Sequence, residues 1–320
     1  MFFRFFADKQ KYVPGDSILI DVEVINRSNI EMLLSSVDID LSINATEFSY
    51  PLLGNKSYKS SMQFTIPERV DLSHPYWLNE DATVGMYSVE EQELIGKPEN
   101  DSAIAGSIRV KIGNQFLSWT VPVVYSYIDP VKGEVIEPLM LLPKVTLSMN
   151  TEVMIFADQE PKLLEVKLSA MKKVADGKLS LDLPKGWQAS PESYSVPAID
   201  PGEEQVFGFN ISPSSRASEG EVQAIFEMGS QRFDRSLEII DYSHFPLQSV
   251  LSLASTKVVK LDLQKKGSLL GYIEGAGDAI PDNLRQLGYK VDLLAKEDIK
   301  AEDLKKYDAI VLGIRAFNTV

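Results

Sequence analysis

Residues 267–320, GSLLGYIEGAGDAIPDNLRQLGYKVDLLAKEDIKAEDLKKYDAIVLGIRAFNTV, change the period of the hydrophobic pattern, and no other part of the chain does. They read strand, helix, strand, helix, strand. Leu269 to Ile273 is a short apolar run, after which Gly275, Gly277 and Asp278 turn the chain toward a helix opening near Pro281. Proline is well tolerated in a first helical turn. Ile280, Leu284 and Leu287 form an i, i+4, i+7 stripe, and Gly288 caps the helix. Val291 to Leu294 is the second strand, and Glu302 and Asp303 open a second short helix that ends at Lys305 and Lys306. These charges suit the helix dipole. Ala309 to Gly313 is a third apolar strand. Apolar strands alternating with helices predict a parallel sheet covered on both faces.

A doubly wound sheet needs about five strands, and here the chain stops soon after the third. The expectation is therefore a truncated flavodoxin-like α/β unit in a fragment of a longer protein. Its strands should run in the order 2-1-3, leaving the third strand's edge open for pairing with a second copy.

Working outward, Phe2 to about Tyr127 alternates with period two. Ile18, Ile20, Val22 and Val24 alternate with polar neighbours, as do Val37, Ile39, Leu41 and Ile43, and Tyr58, Met62, Phe64 and Ile66. Ile108, Val110 and Ile112, then Trp119, Val121 and Val123, continue the series. This is the pattern of a β-sandwich. Residues 67–100 lack sustained alternation and read as a long irregular insertion. A proline-punctuated connector runs from Asp129 to Pro143. A second alternating series follows, through Leu164, Val166 and Leu168, Leu179 and Leu181, Phe207, Phe209 and Ile211, and Val222 to Met228. Asp241-Tyr242-Ser243-His244-Phe245-Pro246 is the expected hinge to the last part, and Val259, Leu261 and Leu263 suggest one further strand that extends or joins the parallel sheet. The chain is thus multidomain and mainly β: a β-sandwich over 1–140, a second Ig-like sandwich over 141–242, and the α/β unit over 243–320.

Composition removes several function classes. The formal net charge of −14 disfavours nucleic acid, which is held by Lys and Arg, and no apolar run approaches the roughly 20 residues of a membrane span. With no cysteine and only two histidines, His74 and His244, thiolate chemistry and a protein-only zinc site are not expected. No cofactor is expected. The Glu274-Gly275-Ala276-Gly277-Asp278 loop invites a phosphate reading, but it lacks the third glycine of a dinucleotide fingerprint and places two carboxylates where amides are needed. Asp278 reads more simply as a helix N-cap.

Two candidate sites remain. In a 2-1-3 sheet, the loops after strands one and three meet, which gathers Glu274, Asp278, Arg315 and Asn318 into a polar crevice. An ion pair ordering two loops is the competing reading. Tyr76 and Trp77, in the irregular insertion, are candidate sugar-stacking rings. Trp119 and Trp187 read as buried, and His74 as stacked on Tyr76 or Trp77.

The segments Pro75-Tyr76-Trp77-Leu78, Asp129-Pro130-Val131, Gly133-Glu134, Leu183-Pro184-Lys185-Gly186-Trp187, Tyr242-Ser243-His244-Phe245-Pro246, Gly271 to Asp278 and Gly313 to Thr319 together resemble the region downstream of the catalytic domain in large bacterial PIG-L (LmbE-like) deacetylases. The second sandwich looks like the accessory domain found with alpha-galactosidases, and the last part like the start of a ThuA-like, glutamine-amidotransferase-like domain. The deacetylase motif Ala-His-Pro-Asp-Asp-Glu is missing, because the one His-Pro continues as Tyr76-Trp77-Leu78. The amidotransferase cysteine is also missing. The resemblance implies a non-catalytic accessory portion of a sugar N-deacetylase-related protein, exported from a bacterial cell, with the parent's catalytic domain as partner. A carbohydrate-binding module is one alternative. An α/β enzyme completed by further residues is the other.

Overall fold

The computed structural model describes residues 1–41, 47–80, 82–277, 279–300 and 302–319. The first unit contains Phe2–Ala7 (β1), Lys11–Tyr12 (β2), Ser17–Ile25 (β3), Met32–Ile39 (β4), Glu47–Leu52 (β5), Ser57–Thr65 (β6), Ala105–Ile112 (β7), Gln115–Asp129 (β8), Gly133–Pro138 (β9) and Met140–Leu141 (β10). Its main sheet runs β5-β4-β7-β8-β1-β3-β6, with β9 on β8, and wraps into a nearly closed, barrel-like sandwich. β3 shows why: Ile18, Ile20, Val22 and Val24 are buried while their neighbours face out, as period-two alternation requires. β8 serves both halves. Its first half pairs with β7 as far as Pro122, and from Val123 it pairs with β1. Proline cannot donate to a ladder, so it fits the point where partners change. The expected alternation at 37–43 is shorter than it looks: β4 begins earlier, carries a bulge between Leu34 and Ser36 and ends at Ile39. Ile43 lies outside the described residues.

The proline-punctuated connector carries two strands, β9 and β10. Asp129 accepts hydrogen bonds from the amides of Val131 and Lys132 and so closes the β8–β9 turn. Leu139 to Leu142 are all buried, with β10 paired to β2. An unbroken apolar run is better buried than left as a tether.

The second unit contains Val145–Met149 (β11), Val153–Phe156 (β12), Lys162–Ala170 (β13), Gly177–Asp182 (β14), Gln188–Ser190 (β15), Ser193–Val196 (β16), Glu204–Ser212 (β17), Ser218–Met228 (β18), Gln231–Phe233 (β19), Glu238–Tyr242 (β20), Phe245–Val250 (β21) and Ser255–Lys260 (β22). Two sheets, β11-β13-β17-β15 and β12-β22-β18-β14-β16, enclose one core that includes Leu164, Val166, Phe156, Phe209 and Phe226. Two expectations change here. The hinge at residues 241–246 is the tight turn of the β20–β21 hairpin, with Tyr242 opposite Phe245. The strand around Val259 belongs to the sandwich, between β12 and β18, and not to the parallel sheet.

The last part contains Leu269–Ile273 (β23), Ile280–Gln286 (α1), Lys290–Leu294 (β24), Ala309–Leu312 (β25) and Ala316–Thr319 (α2). Its strands are parallel in the order β24-β23-β25. α1 ends as expected, with Gly288 in the left-handed region at φ 85° just past the cap. The second helix is only a 3-10 turn, Asp303–Lys306. Among the described residues the sheet has three strands and one seven-residue helix against it, so a flavodoxin-like α/β domain is not supported. The chain is mainly β.

Candidate functional site

The crevice after β23 and β25 is closed by backbone. A Cβ on Gly275 would overlap the Ile314 carbonyl oxygen, so only glycine allows the two loops to touch. Ala276 N–H donates to that same oxygen at 2.8 Å, and Gly313 N–H to Ile273 O at 2.9 Å. Gly275 therefore serves loop contact, with the Ala276 amide spent on protein, while Gly277 has open space around it and a left-handed φ of 72°. Glu274 is exposed at the end of β23, and Arg315, at φ 57°, lies in the turn before α2. Asn318 N–H donates to Arg315 O at 2.8 Å. Among the described residues no ion pair joins Arg315 to Glu274. Asp278 lies outside the described residues, and the residue capping α1 is Ala279, which has no side-chain cap.

The aromatic pair in the insertion packs inward. Tyr76 is buried, donates its hydroxyl to Lys97 O at 3.0 Å and meets Trp77 edge to face at 4.9 Å. Its ring is not presented for stacking, while Trp77 is half-buried. His74 is not stacked on either ring. Its Nδ1 accepts from the Leu251 amide at 2.9 Å and its Nε2 donates to Leu78 O at 2.9 Å. Next to it, Ser73 exchanges hydrogen bonds with Leu141, and its carbonyl accepts from Ser249 Oγ at 2.6 Å. The Ser73-His74 pair is thus a latch between the insertion and the second unit. Both imidazole nitrogens are occupied, and among the described residues no cluster of three or more His, Asp or Glu is placed to hold a metal ion.

Sequence reasoning missed the groove between the sandwiches. It has a volume of about 250 Å³. Pro14, Val70, Leu72 and Phe233 supply its apolar wall, and Glu68, Lys144, Arg232, Asp234 and Arg235 its charges. Arg232 Nε lies 3.3 Å and Arg235 Nε 3.6 Å from the Asp234 carboxylate, while Lys144 Nζ lies 3.6 Å from Glu68. The residues come from four separated segments, so no local motif announces them. A larger depression of about 550 Å³ at the edge of the second sandwich has no aromatic ring in its lining.

Comparison with known proteins places the second sandwich. Residues 157–227 match the NPCBM-associated, NEW3 domain of alpha-galactosidase. That match covers less than a quarter of the chain. The matched stretch spans β13 to most of β18. No curated protein matches the chain. Among solved structures, alpha-2-macroglobulin of E. coli is similar at 8% identity and TM-score 0.29, over 80% of this chain and 17% of that one. Red sea bream transglutaminase is similar at 11% identity and TM-score 0.35, over 82% and 31%. A Porphyromonas gingivalis protein of unknown function is similar at 10% identity and TM-score 0.19, over 80% and 96%. The chain spans less than a third of the first two, and none of the three is close enough to assign a function. Nothing found supports a PIG-L deacetylase relationship.

Proposed function

We propose that this chain is a non-catalytic, carbohydrate-associated accessory region of a larger glycan-acting protein. The NEW3 match within a complete two-sheet sandwich carries this reading. A sandwich of this kind offers a rigid scaffold on which rings and polar groups can meet a sugar. The sugar N-deacetylase parent rests on the sequence resemblance alone and belongs to the same proposal, with the parent's catalytic domain as an intramolecular partner. Pairing of two copies through β25 is a further part of it: Ile310 and Leu312 of that strand are 37% and 49% exposed. Light scattering tests this, and Ile310→Lys should shift any dimer toward monomer.

The functional test is a glycan array probed with the whole chain, accompanied by hydrolysis assays on the same glycans. Binding to at least one carbohydrate class without turnover is expected. Turnover would return the chain to the enzyme reading, and absence of binding across a broad panel would remove the carbohydrate reading.

A further inference from the structure

Ligand pockets favour domain interfaces, and the groove between the two sandwiches lies at one. Three of its side chains are cationic, Lys144, Arg232 and Arg235, and two are anionic, Glu68 and Asp234. Three minus two leaves one positive charge, on a chain whose net charge is −14. The two guanidiniums share a single carboxylate, and each approaches it through Nε. Among the described residues the Nη atoms of Arg235 reach only Leu251 O, at 3.5 Å, and those of Arg232 have no protein acceptor. Both side chains are about half exposed, at 51% and 49%. Planar donor forks of this kind suit a carboxylate. Phe233, between the two arginine positions in sequence, packs on the core of the second sandwich beside Phe226 at 6.2 Å and adds the uncovered part of its half-buried ring to the wall, and a volume of about 250 Å³ holds roughly eight waters, enough for one sugar ring.

We propose that this groove binds an acidic sugar residue, a uronic acid, with its carboxylate held by Arg232 and Arg235 and its ring against Phe233. The inference rests on the carbohydrate reading above and narrows it to one chemical class and one place. Binding moves no covalent bond and needs no cofactor.

Titration calorimetry on the whole chain separates this inference from the reading beneath it. The probes are an oligogalacturonate, the same oligomer with its carboxylates methyl-esterified, a neutral cello-oligosaccharide and poly-glutamate. The expected result is binding of the oligogalacturonate at least about tenfold tighter than of its ester, which corresponds to about 1.4 kcal/mol, with no binding of poly-glutamate. Arg232→Gln with Arg235→Gln should weaken oligogalacturonate binding by at least about tenfold in a variant whose circular dichroism shows it folded at the assay temperature. The comparison of acid with ester needs no variant, so it stands if the double variant misfolds. Equal binding of acid and ester, equal binding of poly-glutamate, or an unaffected folded double variant would overturn the groove. Binding of neutral glycans alone would overturn the groove and leave the carbohydrate reading in place. Binding of no glycan would overturn both.

Discussion

Trp187 and Trp119 look alike in the sequence, each ending or entering an alternating run, yet they sit differently. Trp187 is 5% exposed, donates its indole N–H to Ser218 Oγ at 3.2 Å and meets Phe156 edge to face at 5.2 Å. Trp119 is half-buried and leans on Phe3 at 6.1 Å. Alternation fixes the face a side chain occupies, but not how much of a large ring the core can cover. Trp187→Ala should therefore cost about 3–5 kcal/mol in urea unfolding, and Trp119→Ala clearly less. Asp8 carries a pH dependence that no sequence pattern marks. Burial works against its carboxylate, but hydrogen bonds from the Tyr12 hydroxyl at 2.7 Å and the Leu19 amide at 3.0 Å outweigh it and hold its carboxyl below the usual range. Tyr12 is pushed up, by burial first and then by its bond to Asp8. A depressed carboxyl stabilises the fold above its unfolded value, about 3.9, and loses that contribution as pH falls through the folded value. Melting temperatures measured below about pH 4 should thus fall more steeply in the native chain than in Asp8→Asn.

At the scale of elements, the strands were legible and their partners were not. β3, β13, β17 and β18 stand where alternation put them, and β23, β24 and β25 where apolar runs put them. Alternation says nothing of which strands neighbour one another, so the strand around Val259 looked free to join the parallel sheet. What holds that sheet to the sandwich was equally hidden. The backbone of edge strand β12 is bonded by α1: Ile155 N–H donates to Gln286 Oε1 at 2.6 Å, and Lys162 Nζ donates to Gln286 O at 2.7 Å and to Ile155 O. Burial lowers the Lys162 pKa, yet the ammonium is well placed at the carbonyl end of α1. Lys162→Met removes its bonds and leaves two acceptors unmet, at a cost of about 1–3 kcal/mol. Faster hydrogen exchange at α1, with the sandwich core unchanged, is the expected signature. Gly275 is the second such point. Gly275→Ala should accelerate exchange along β23 and β25, because its Cβ has no room beside Ile314. A variant that exchanges like the native chain would mean that the loops can part without loss.

For the whole molecule, two sandwiches and a small parallel sheet were expected, and the chain is mainly β with several sheets. The flavodoxin-like and PIG-L readings of the sequence have no support. The candidate site was the least legible part, because the groove takes its residues from the turn before β3, the start of the insertion after β6, the β10–β11 junction and β19 onward. Only the fold brings these together. The Ser73-His74 latch, next in sequence to the groove residues 68–72, bonds the same insertion to Ser249 and Leu251 of the second unit. His74→Phe should leave the Leu251 amide without an acceptor and cost about 1–3 kcal/mol, read as faster proteolysis within residues 67–100. The account centres on carbohydrate association without catalysis. Its most direct measurement is depletion of the purified chain from solution by insoluble polysaccharides, neutral and acidic, with the supernatant assayed for released sugar. Saturable depletion by at least one polysaccharide with no sugar released is the expected result. A chain that stays wholly in solution with every polysaccharide, or one that releases sugar, would contradict it.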